Sequence, residues 1–222
     1  MSASSGQPVD GFEADLDDLP SLAGFVENLS QKHPRLDVLI NNAGVFKTSQ
    51  PRLPSGFDGR FVVNTVAPYL LFKLLADKLS ADARIINLSS AAQAPLDMNA
   101  FWGERSLSDS AAYAQSKLAL TAWTHFLGNS LADKGPRLVS VNPGSFLATK
   151  MVKEAYGSSG NDIAVGVDIL RRAALSEEFA GAHGRYFDND SGQFSNPHPG
   201  ALDTQLGTEL VQSMDKLISE AI

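Results

Sequence analysis

The 222-residue sequence has no cysteine, which removes disulfides, thiol catalysis and cysteine-based zinc sites together. Positive charge is scarce: 18 Lys and Arg stand against 25 Asp and Glu, a formal net charge of −7. No basic stripe appears, so nucleic acid is not an expected partner. No apolar run approaches the roughly 18 residues that a membrane span needs. The first 18 residues have neither the basic start nor the apolar core of a signal peptide. A cytoplasmic protein with no membrane partner is the expectation. The four histidines, His33, His125, His183 and His198, are scattered with no pair at metal-ligand spacing, so no metal site is expected. No internal repeat is found.

What is present suits a globular α/β chain. Hydrophobic residues make up 43% and charged residues 19%, a balance that supports a core rather than disorder. Residues 1–10 are small and polar and read as a disordered lead-in; residues 11–222 read as one domain. Gly11–Asp15 reads as the end of a strand. Leu19, Leu22, Phe25, Val26 and Leu29 follow helical spacing up to Pro34. Val38–Ile40 is a short apolar run entering a turn of Asn, Ala and Gly. A long helical pattern interrupted by Pro68 follows, then a strand at 83–90, a polar loop carrying Phe101 and Trp102, and a helix from about 110 to 134. A strand at 137–144, a helical region at 161–180, a last strand and a final helix complete the pass. Strands alternating with longer helices predict βαβ units, a doubly wound, mostly parallel sheet, and ligands beyond the carboxyl ends of its strands. Asp188–Gly192 hints at a calcium loop but lacks its closing glutamate, so it reads as a turn.

Tyr113 and Lys117 stand four apart on the predicted helix and share a face. Half-ionising an isolated phenol at neutral pH costs roughly 4 kcal/mol, and a neighbouring ammonium offers an interaction of about that size. The pair alone is a common helix pattern; a phenol that exchanges protons near neutrality is the sharper reading. Ser90, at a strand end, is a candidate for holding a carbonyl oxygen beside that phenol.

The surrounding motifs decide between these readings. Leu39–Gly44 resembles the Asn-Asn-Ala-Gly motif of the short-chain dehydrogenases/reductases. Val62–Leu71 resembles that family's helix with an active-site asparagine, here Asn64. Residues 84–90 resemble the strand carrying the catalytic serine, here Ser90. Tyr113 and Lys117 match the Tyr-x-x-x-Lys motif, Val141–Gly144 the Pro-Gly motif, and Ala14–Leu19 the end of a third strand with Asp15 near an adenine. The resemblance covers about residues 11–190. It implies a Rossmann-type fold and hydride transfer between NAD or NADP and a carbonyl or alcohol substrate. Tyr113 would be the general acid/base, Lys117 would lower its pKa and hold the ribose, and Ser90 would orient the substrate oxygen. Asn64 would bind a relay water. Asn41, Ala43 and Gly44 would let the backbone approach the cofactor, with Pro143, Gly144 and Thr149 at its nicotinamide end. Family members form dimers and tetramers through helices like those at 57–80 and 110–134, which makes a homodimer or homotetramer the expectation, with Leu118, Trp123 and Phe126 as contacts or core.

The chain departs from this pattern at its front. The family's first strand and its glycine-rich phosphate turn have no counterpart, so the sequence reads as an N-terminally truncated member. Two alternatives follow: a non-catalytic dinucleotide-binding sensor, or an inactive fragment. The gap of 23 residues from Ser90 to Tyr113 is longer than in many members and resembles the retinol dehydrogenase branch. Phe101 and Trp102, within it, are candidates to fold over a substrate or to pack on the core. Thr149 stands six residues after Pro143, one more than is usual.

Overall fold

The computed structural model describes residues 6, 8–132, 134–149, 151–153, 157 and 160–221. Of the lead-in, residues 1–5 and 7 lie outside them. Asp10 is not loose: it pairs with Lys32 Nζ at 2.5 Å and His33 Nε2 at 2.9 Å.

Helix α1 (Ser21–Lys32) buries Leu22 and Val26 and ends at His33 before Pro34. Strand β1 (Leu36–Asn41) runs into the Asn42–Gly44 turn. Asp58 caps the short α2 (Gly59–Phe61), whose chain widens into a π-helical turn over Val62–Val66 before α3 (Ala67–Leu74). Pro68 explains the widening. It cannot donate to the carbonyl of Asn64 and its ring crowds that oxygen, so the ladder shifts to i→i−5, with Ala67 N–H donating to Val62 O. Strand β2 (Leu79–Leu88) follows, then the single turn α4 (Met98–Phe101) and the 22-residue α5 (Asp109–Ser130). Ser108 caps α5 by accepting from the Ala111 N–H, with Asp109 in the first turn. Strand β3 (Arg137–Asn142), α6 (Ile163–Leu175), the hairpin β4 (Tyr186–Asp188) and β5 (Gln193–Ser195), and α7 (Thr204–Ala221) complete the chain.

The sheet order is β1-β2-β3-β4-β5, parallel through β4 and closed by antiparallel β5. This is the expected Rossmann-type α/β arrangement. One difference lies at the front: Gly11–Asp15 forms no strand, and among the described residues nothing pairs with the outer edge of β1. The larger core cluster, on the α3, α5 and α7 side, contains Leu70, Ile85, Leu118, Trp123 and Met214; a smaller one beneath α6 contains Ile86, Val139, Ile169 and Phe187. Leu118 and Trp123 are fully buried, and Phe126 lies where a side chain at Gly207 of α7 would have to go. Leu118 and Trp123 are therefore core, while Phe126 is partly buried against α7.

The whole α5 start is anchored. The Arg60 guanidinium is buried and grips Asp58, by Nη2 to Oδ2 at 2.6 Å, and also Asp109. A buried charge paired on two sides is costly to break, and this one fixes the helix that carries Tyr113.

Candidate active site

At the carboxyl ends of β1, β2 and β3 lies a cleft of about 560 Å³. The strand-end turns supply its rims: Asn42–Gly44 after β1, Ser89–Ala92 after β2 and Pro143–Leu147 after β3. Helix α5 supplies Tyr113 and Lys117. The i, i+4 spacing puts Lys117 Nζ 5.7 Å from the centroid of the Tyr113 ring. Lys117 is buried, and its Nζ donates to Leu88 O at 2.6 Å. Burial alone pushes its pKa down to about 8. The Phe46 ring stands edge-on to Tyr113, centroids 5.0 Å apart.

Ser90 lines the cleft, and its Oγ accepts the Ala92 N–H at 3.1 Å. Ser89, one residue earlier, is buried against Thr121, Oγ to Oγ1 2.7 Å. Strand alternation therefore sends the first serine into the packing and leaves the second at the rim. Asn64 is fully buried in the π-helical turn. Its Oδ1 accepts the Val45 N–H at 2.8 Å, and its Nδ2 donates to Val45 O and Ser116 Oγ, both at 2.9 Å. Ser116 Oγ in turn donates to Tyr113 O at 2.8 Å. The side chain of Asn64 thus ties the Asn-Asn-Ala-Gly turn to the helix of Tyr113.

Ala43, Gly44, Pro143, Gly144 and Thr149 line the same cleft. Gly144, at φ +122°, adopts a backbone that favours glycine. Thr149 Oγ1 accepts the Val152 N–H at 3.3 Å and so caps the next turn. Asn41 lies one step back from the cleft: buried, its Nδ2 donates to Asn87 Oδ1 at 2.7 Å, and Asn87 Nδ2 donates to Thr124 Oγ1 at 2.8 Å.

Three candidates stand elsewhere. Asp15 lines a separate concavity beside α1, with Phe12, Ser21 and Phe25. Phe101 is a core residue, 1% exposed and packed edge-on against Phe61 at 5.8 Å. Trp102 packs on Phe57 at 6.2 Å with Lys216 Nζ 5.3 Å from its ring. Of the two readings for Phe101 and Trp102, packing on the core is the one found: α4 turns both rings onto the α7 side, and neither lines the cleft.

The apolar wall comes instead from Phe46, Phe146, Met151 and Val152, none of which the motifs single out. Phe46 stands two residues after a recognised motif and is within reach of sequence reasoning. Phe146 carries a second signal that only structure reveals, a φ of +54°, rare for a bulky residue.

A family model described as "short chain dehydrogenase" matches residues 1–159. Human "Retinol dehydrogenase 13" is 32% identical over 95% of this chain and 69% of its own length. Human "Polyprenol dehydrogenase" is 33% identical over 82% of this chain, which spans 61% of that protein. Among solved structures, a putative short chain dehydrogenase from Escherichia coli complexed with NADPH superposes with a TM-score of 0.66 at 21% identity, over 85% of this chain and 78% of that one. The carbonyl reductase Sniffer of Drosophila melanogaster gives 0.60 at 24% identity, over 83% and 77%. These structural likenesses speak to the fold alone.

Proposed function

Since the chain belongs to the short-chain dehydrogenase family, we propose that it is an oxidoreductase moving a hydride between NAD or NADP and a carbonyl or alcohol carbon. The observation that carries this reading is one cleft gathering Ser90, Tyr113 and Lys117 between the turns after β1 and β3.

The nicotinamide supplies the hydride chemistry when bound. The cleft has room for it at Gly44. A Cβ there would stand 3.4 Å from Asn64 Oδ1, 3.5 Å from Lys117 Nζ and 3.7 Å from Met151 Cε, so any longer side chain would occupy the space in front of the lysine. Ala43, Gly44, Pro143, Gly144 and Thr149 would hold the nicotinamide end, with Lys117 on the ribose. Tyr113 gives a proton to the carbonyl oxygen in reduction and takes it from the alcohol in oxidation. The Lys117 ammonium, close to the ring, lowers the cost of the phenolate. Ser90 donates its hydroxyl hydrogen to the same substrate oxygen. Asn64, tied to Val45 and Ser116 beside Lys117, would hold the relay water. The aromatic and aliphatic wall suits an apolar substrate, and the names of the relatives, a retinol and a polyprenol dehydrogenase, point to long apolar alcohols.

The experiment is a titration with NADPH and NADH followed by nicotinamide fluorescence, then turnover of all-trans-retinal. Tyr113→Phe is expected to lower kcat by about 10²–10⁴-fold while dinucleotide affinity stays within twofold. Unchanged turnover would refute the role of Tyr113. Asp15, the adenine-side candidate, stands outside the cleft, which favours the alternative of an inactive chain; a folded wild-type chain with neither dinucleotide binding nor turnover would select it, and binding without turnover would select a dinucleotide sensor.

A further inference from the structure

The parallel register pairs Asn142 with Asp188, so the sheet itself sets the β4–β5 turn beside the rim that follows β3. The polar atoms there interlock. Asp190 Oδ1 accepts the Ser145 N–H at 2.8 Å, and its Oδ2 accepts Ser145 Oγ–H at 2.5 Å and Asn142 Nδ2–H at 2.9 Å. Asn189 Nδ2 donates to Pro143 O at 3.0 Å, and its N–H donates to Asn142 O at 3.1 Å. Asp188 Oδ1 accepts from Asn142 Nδ2 at 2.8 Å. Although burial works against it, the Ser145 and Asn142 donors hold the Asp190 carboxyl below its usual range.

The same hairpin reaches the other rim. Tyr186, in β4, is buried and donates its hydroxyl hydrogen to Ser90 O at 3.2 Å. The turn that Asp190 grips also contains the two unusual backbones of the cleft, Gly144 at φ +122° and Phe146 at φ +54°. For a bulky residue such as Phe146 this conformation persists only where neighbours over-determine it. Asn161 grips the far side, donating by its N–H to Phe146 O at 2.6 Å and by Nδ2 to Ser145 O at 3.0 Å.

We propose that Tyr186 and Asp190 are positioning residues: Asp190 fixes the Asn142–Ser145 rim and Tyr186 fixes Ser90, so that one hairpin sets the spacing across the cleft. The proposal rests on the functional reading above. It assigns each residue to a different half of the chemistry, Asp190 to the dinucleotide and Tyr186 to the substrate oxygen.

The test uses the full chain, NADPH and NADH read by nicotinamide fluorescence, decanal as the carbonyl probe, and amide hydrogen exchange. Asp190→Ala is expected to weaken the dinucleotide by about tenfold, the loss typical of bonds to a charged group, and to speed exchange over 142–149. Tyr186→Phe is expected to keep dinucleotide affinity within twofold and to lower kcat on decanal by about tenfold, with faster exchange over 89–92. A general loss of packing would not produce this split. Two folded variants with lower Tm but wild-type affinity and kcat would overturn the proposal. Should Asp190→Ala not fold, Ser145→Ala deletes a single hydroxyl; about threefold weaker dinucleotide binding supports the proposal and unchanged binding overturns it. A wild-type chain that bound neither dinucleotide, or did not reduce decanal, would count against the functional reading instead. The exchange of the two loops then decides: acceleration confined to the loop each residue grips supports the clamp, and its absence overturns it.

Discussion

The two long edges of the sheet are built in opposite ways. At one edge β4 turns back through β5, and Phe179, Phe187 and Phe194 pack with centroids 5.0 to 5.1 Å apart beneath it. Arg185 covers Phe194 at 4.0 Å. At the other edge β1 runs beside an apolar groove of about 290 Å³ walled by Leu16, Phe25, Pro68 and Leu71, and Ile40 is 39% exposed. The closed edge supplies the hairpin that grips both rims of the cleft. The open edge holds Asp15, the one adenine-side candidate, in a concavity of its own. The Tyr113/Lys117 pair sits between the two edges: Lys117 Nζ donates to Leu88 O at the end of β2, and Asn64 ties Val45, just after β1, to the helix of Tyr113.

The largest effect expected from this contrast is on stability. Phe187 is fully buried among aromatic neighbours, so Phe187→Ala is expected to cost about 3–5 kcal/mol. Ile40→Ala removes a side chain that already meets solvent and is expected to cost about 1 kcal/mol or less. Urea unfolding of both variants measures the difference. Equal losses would mean that the β1 edge is as tightly packed as the hairpin edge and would break the comparison.

A second effect concerns Lys117, the buried cation of the cleft. Lys117 titrates near 8 when folded and near 10.4 when unfolded. Between these values the unfolded chain binds more protons than the folded one, so stability rises with pH. The rise amounts to about 3 kcal/mol. Burial raises the phenol pKa values of Tyr69 and Tyr186 above the ordinary range, with Asp215 adding to the first and Asp188 and Asp190 to the second. Their unfolded forms lose protons first, so stability falls again above about pH 10. Lys117→Met is expected to erase the rise from pH 8 to 10, keep the later fall, and be more stable than wild type at pH 7. Calorimetric Tm profiles that stay parallel for the two proteins would sink the argument.

Legibility in the sequence follows the same division. The strand-end turns and the Tyr113/Lys117 pair are readable because their meaning lies in local spacing: i and i+4 share a helix face whatever surrounds them. The β1, β2 and β3 runs are readable because buried parallel strands are continuously apolar. The hairpin clamp is not. Asp188–Asp190 is an ordinary polar turn by composition, and only the β3–β4 register brings it to Ser145. Phe101 and Trp102 stay open between two readings because an aromatic loop does not declare which layer it folds onto. Gly11–Asp15 suggests a strand on five residues, too few to form a ladder without a neighbour.

The smallest effects are expected where sequence placed function and structure placed packing. Trp102 touches Phe57 and lies under Lys216, so Trp102→Phe keeps an aromatic contact and gives up part of a surface cation–π pair, about 0.5 kcal/mol. Asp15 lines the concavity beside α1 rather than the cleft. Both Trp102→Phe and Asp15→Asn are expected to leave dinucleotide affinity and KM for all-trans-retinal within twofold of wild type. A fivefold or larger change in KM from Trp102→Phe would put the loop back over the substrate. A comparable loss of dinucleotide affinity from Asp15→Asn would mean that the open edge closes onto the cofactor on binding, and the contrast between the two edges would hold only for the free chain.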